Sequence, residues 1–80
     1  MKFEDFKAEW SKAMMGNPRY ACIKLRDGNT IFATKYEYRG GDYFKLLRDD
    51  FDNDNRTAHP IEIAMVRVGT INCIYNPWSD

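Results

Sequence analysis

Two thiols, one imidazole and a run of aspartates are the groups in this 80-residue chain from which chemistry could be built. Cys22 or Cys73 with His59 would make a nucleophilic pair, which needs a thiolate, a base within hydrogen-bond reach and a third group to orient that base. Both cysteines sit inside apolar, strand-like runs, where thiols are ordinarily inert packing. His59 precedes Pro60 at the exit of a loop, the place of a turn residue. The two cysteines have the spacing of neither a zinc site nor a disulfide framework. Glu37, Glu62 and the aspartates supply carboxylates, but no spacing among them selects an acid and a base. Gly40-Gly41 reads as a turn rather than a phosphate-cradling loop. The expectation is a non-enzymatic protein with no catalytic residue and no cofactor.

The acidic run is 49-DDFDNDNRTAH-59. Asp50, Asp52 and Asp54 hold the first, third and fifth positions of an EF-hand-like loop, a pattern that converges oxygens on calcium. The pattern then fails: Asn55 replaces the sixth-position glycine, Ile61 takes the twelfth position, and Glu62 falls one residue late. No metal is expected. A solvated loop is the plain reading. The functional one is an acidic contact, through Asp49, Asp50, Asp52 and Asp54, for a basic partner surface.

Residues 19–48 carry seven basic and three acidic side chains, a local charge of +4, interleaved with Tyr20, Tyr36, Tyr38 and Tyr43. Tyr, Trp and Arg anchor interface hot spots, so a protein partner is the first expectation, with Tyr36, Tyr38, Arg39, Tyr43 and Trp78 as contacts and Lys24 and Lys35 beside them. The alternative is RNA or single-stranded DNA held on the same aromatic and basic surface. Against that alternative stands a formal net charge of zero for the whole chain. The charge is unevenly spread, +3 over residues 1–40 and −3 over residues 41–80, which suits an oriented partner. A small regulator or inhibitor fits a cofactor-free chain of this length.

The elements that must position these groups follow from periodicity. Phe3, Phe6, Trp10, Ala13 and Met14 recur at helical spacing, which predicts an amphipathic helix over 3–14, closed by Gly16-Asn17-Pro18. Its apolar face is expected to cover the sheet, the alternative being a partner-binding helix that presents Trp10. Residues 19–48 form a three-stranded meander, with strands near 19–26, 30–39 and 42–48 turning at Asp27-Gly28-Asn29 and Gly40-Gly41. Strict alternation puts Phe32, Thr34, Tyr36 and Tyr38 on one face of the second strand, and Cys22 on a face with Lys24 and Arg26. Residues 49–59 form a loop, strands at 61–67 and 70–75 follow with a bend or bulge at Gly69, and 76–80 is a tail.

One domain of 80 residues buries a modest core, so many of its twelve aromatics have to serve as packing. The start, MKFEDFKAEW, interrupts every apolar residue with charge and is no signal peptide. No stretch has the length of a membrane span. Cytoplasmic location is the expectation. The fold class is α+β: the N-terminal helix packed on a strongly curved antiparallel sheet of about five strands, as a small SH3/Sm-like barrel or an open meander. Within it, IKLRDGNTI (23–31) looks like the apolar strand and glycine turn of Sm-like proteins, and MVRVGTINCI (65–74) is similar to their later segment. Val68 separates Arg67 from Gly69, and YRGGDYF (38–44) lacks that family's Asp and Asn, so the resemblance is one of fold and carries no binding residues. An edge strand left open by incomplete closure would build a homodimer or ring.

Overall fold

The chain bends at Thr34, and the architecture follows from that bend. In the computed structural model, which describes residues 1–51 and 58–78, a helix α1 (Phe3–Ala13) precedes six strands. These are β1 (Ala21–Leu25), β2 (Thr30–Ala33), β3 (Lys35–Gly40), β4 (Tyr43–Phe51), β5 (Ala58–Arg67) and β6 (Ile71–Tyr75). They form two antiparallel three-stranded sheets, ordered β2-β1-β6 and β3-β4-β5. The protein is therefore α+β, with its helix packed on two sheets rather than on the single five-stranded sheet expected.

The extra strand arises where the second expected strand divides. The Thr34 amide donates to the Leu47 carbonyl at 2.8 Å, and its hydroxyl lies 3.4 Å from the same oxygen. The hydroxyl also accepts from the Asp49 amide at 2.9 Å. Thr34 thus ties the end of the first sheet to the middle of β4, and the strand leaves one sheet to enter the other.

Local chemistry fixes the turns. Gly28 has φ +96°, Asp27 Oδ1 accepts from the Asn29 amide at 2.9 Å, and the Leu25 amide donates to the Asn29 carbonyl, closing the β1–β2 hairpin. Gly40 (φ +98°) and Gly41 (φ +57°) turn β3 into β4. Of the bend or bulge expected at Gly69, the chain makes the bend, as a 3₁₀ turn over Val68–Thr70 that joins β5 to β6. The expected loop at 49–59 is narrower, because β4 runs to Phe51 and β5 starts at Ala58. Asp49 and Asp50 are strand residues; Asp52 and Asp54, with the calcium-like pattern, lie outside the described residues.

The core is enclosed by the inner faces of both sheets and by α1. Phe6, Ala21, Ile23, Ala33, Phe44, Leu46 and Ile71 are fully buried within it. Phe6 stacks on Phe44 with ring centroids 3.9 Å apart, and Tyr36 meets Phe6 edge-on at 4.9 Å. The helix is thus a cover, held chiefly by an aromatic cluster, and each such pair adds about 1 kcal/mol beyond area burial. No helix among the described residues is long and apolar enough to cross a membrane.

Candidate functional site

The residues singled out from sequence fall in three places. Tyr36 and Tyr38 sit opposite Leu46 and Phe44 on the helix side of the second sheet. Tyr36 packs against Phe6 and Trp10; Tyr38 lies edge-on to Phe3 at 4.9 Å and donates its hydroxyl to the Gly41 carbonyl at 2.8 Å. Lys35, Arg39 and Tyr43 are on the opposite, outer face of that sheet. Lys24 and Trp78 lie at the outer face of the first sheet.

The outer face of the second sheet neutralises itself. Lys35 pairs with Asp49 at 3.6 Å, Arg39 with Glu37 at 3.7 Å, Lys45 with Glu62 at 3.7 Å and Arg67 with Asp42 at 3.3 Å. The Arg67 guanidinium also lies over the Tyr43 ring, 5.7 Å from its centroid. Asp49, one of the expected acidic contacts, is occupied by Lys35, and its buried Oδ1 has no other partner.

The outer face of the first sheet is different in kind. Register places Phe32, Cys22 and Tyr75 side by side across β2, β1 and β6, with Thr30, Lys24 and Cys73 in the row beside them. Tyr20, just before β1, brings its ring to 5.1 Å from Phe32 and 4.8 Å from Trp78. Phe32 is 41% exposed, Tyr75 43% and Trp78 55%. Cys22 is covered by this aromatic layer rather than by the helix, with 1% exposed. The three strands contain no Asp or Glu. Arg19, Lys24, Arg26 and Arg48 have no ion-pair partner among the described residues, in contrast to the four paired cations of the other sheet. Two of them, Arg19 and Arg48, line a cavity of about 540 Å³ with Tyr20, Thr34 and Asp49, beside the strand bend.

Burial pushes the Cys22 thiol up from its ordinary pKa, against a smaller opposing hydrogen bond with Tyr75. The Tyr75 phenol is also raised, first by the negative charge that Cys22 would carry as a thiolate. At neutral pH the thiol is protonated, so the group the sheet holds here is a weak donor under a ring and not an activated nucleophile.

Tyr20, Phe32, Tyr75, Arg19 and Arg48 were not among the residues selected from sequence as contacts. Their signal was partly present: Tyr20 and Arg19 belong to the basic and aromatic segment 19–48. What was missing is the reversal at Thr34, which turns Phe32 outward while Tyr36 packs inward and Tyr38, still 48% exposed, lies on the helix side. No protein-family model, curated protein or solved structure matches this chain. Its site is therefore read from residues alone.

Proposed function

We propose that this protein is a small non-enzymatic binding module, of the regulator or inhibitor kind, that engages its partner through the outer face of the first sheet. The observation that carries the reading is a contiguous set of rings, the exposed Phe32, Trp78 and Tyr75 with the half-buried Tyr20 between Phe32 and Trp78, on a sheet whose three strands contain no Asp or Glu. Exposed aromatic side chains give large, rigid contact area at low entropic cost, which is how hot spots are built. Composition favours a protein partner. A second reading, RNA or single-stranded DNA, is favoured by one specific observation: Arg19, Lys24 and Arg48 have no ion-pair partner among the described residues. If β2 and β3 are counted as one bent strand, the scaffold has five strands, and a small, strongly curved barrel of SH3/Sm-like type is the form we have in mind. Free thiols at Cys22 and Cys73 suit a reducing compartment such as the cytoplasm.

The test is capture of partners from native lysate by the tagged protein and by a folded Phe32→Ala/Trp78→Ala variant, with nuclease-treated and untreated halves. Capture that depends on these two rings supports the module. Undiminished capture by the double variant sinks the proposed face.

A further inference from the structure

Resting on that binding face, we infer that its ligand is a single-stranded nucleic acid, with bases stacked on Tyr20, Phe32 and Trp78 and a backbone phosphate received in the cavity between Arg19 and Arg48. Ring geometry, cation placement and local charge pairing converge on this chemistry. The rings form an open series, Phe32 to Tyr20 at 5.1 Å and Tyr20 to Trp78 at 4.8 Å, inclined to each other at 68° and 57° rather than stacked face to face. Rings in such an array leave faces free for planar groups, and every base has a face to offer, so stacking of this kind tolerates sequence.

The charge is placed to follow. Arg19 and Arg48 come from segments far apart in sequence, yet both border one cavity, with Tyr20 in its wall. Among the described residues the one carboxylate lining it, Asp49, is engaged by Lys35 at 3.6 Å, while Arg19 and Arg48 have no ion-pair partner there. The guanidinium fork suits a phosphate's oxygens. Lys24 continues the positive charge on the outer face of β1, in the row next to Phe32, Cys22 and Tyr75. A duplex is excluded by the same geometry, because its bases are already stacked on one another and present only edges.

An acidic protein segment would satisfy the cations but has no planar group at each ring. The neutral charge of the whole chain is compatible with a nucleic-acid ligand, because Glu37, Asp42, Asp49 and Glu62 are each engaged in a local ion pair. A short contact with few phosphates follows, and its salt dependence is correspondingly shallow. With one phosphate between Arg19 and Arg48 and a second at Lys24, log K against log salt should fall with a slope of about −1.4 for a single strand.

The experiment is titration of the full chain with fluorescein-labelled dT12, U12 and a 12-base-pair duplex at low salt, read by anisotropy and by tryptophan emission. Expected are saturable binding of both single strands, quenching of Trp78, and the shallow salt slope. Trp78→Ala should weaken binding by roughly tenfold, and Arg19→Gln/Arg48→Gln by a similar factor with a flatter slope. Both variants alter exposed side chains, and emission from the half-buried Trp10 verifies in the arginine variant that the fold persists. No single-strand binding at low salt overturns the inference. So does binding in which the duplex competes equally and Trp78→Ala has no effect, which is adhesion by charge alone. A nuclease-resistant protein captured through Phe32 and Trp78, with no oligonucleotide binding, overturns the nucleic-acid assignment while leaving the binding face in place. Loss of neither capture nor oligonucleotide binding in ring variants removes the face itself.

Discussion

Phe32 and Tyr36 occupy one bent strand at a spacing that alternation would place on a single face, yet they look in opposite directions. Phe32 lies beside Cys22 on the outer surface of the first sheet, with Tyr20 at 5.1 Å; Tyr36 packs inward against Phe6 at 4.9 Å. The inversion occurs at Thr34, whose backbone and hydroxyl are both committed to β4. Before it Phe32 faces the surface and Ala33 the core; after it Tyr36 faces the core and Lys35, Glu37 and Arg39 are exposed.

Substitution should separate these two roles. Tyr36→Ala is expected to cost roughly 2 kcal/mol of stability, through lost contacts with Phe6 and Trp10, without weakening partner binding in the folded fraction. Trp78→Ala should do the reverse. Denaturant midpoints and binding isotherms on the same preparations decide it, and equal effects on both quantities from either variant would refute the division.

Thr34→Val keeps the shape of the side chain but removes the acceptor for the Asp49 amide. The expected loss is about 1–2 kcal/mol, since a partly buried donor is left without its partner. Thr34→Ser should recover most of it. Urea unfolding of the three proteins provides the comparison.

Phe6 is fully buried at the centre of the aromatic cluster. Phe6→Ala should cost about 3–5 kcal/mol, enough to unfold much of a domain this small, and Phe6→Leu noticeably less. By contrast Glu62→Gln, which breaks the partly exposed pair with Lys45, should shift stability by no more than about 0.5 kcal/mol.

Stability should fall as the solution is made alkaline. The folded protein raises the pKa of Cys22, first through burial, so it holds a proton that the unfolded chain releases. That contribution is whole below the ordinary thiol pKa and is lost as pH rises through the raised value; Tyr75 shifts in the same direction. Cys22→Ala should flatten the alkaline limb of a stability-versus-pH curve. An unchanged limb would assign the loss elsewhere.

Helix α1 and its stop were legible because both are local: helical spacing of apolar residues, then Gly16 and Asn17 at positive φ. The turns at Gly28 and Gly40-Gly41 were legible for the same reason. The reversal at Thr34 was not, because a threonine in a strand pattern carries no local mark of a bend; its cause is a hydrogen bond to a residue 13 positions later. That one hidden event accounts for the sixth strand and for the division of the expected contact residues. It also explains why the seven residues selected as contacts, sensible by type, divide among three surfaces. Charge pairing was equally opaque in sequence, since Lys45–Glu62 and Arg67–Asp42 join residues distant along the chain.

The bend at Thr34 has an engineering and evolutionary corollary. A straight strand couples its two faces, so that a one-residue insertion disturbs both. Here the inversion falls between two short segments, and each can be rewritten in its own register. Phe32 can change what the outer face recognises while Ala33 stays in the core and Tyr36 stays packed on the helix. A strand of this kind is modular within its own length, and a lineage could change ligands without relearning how to fold.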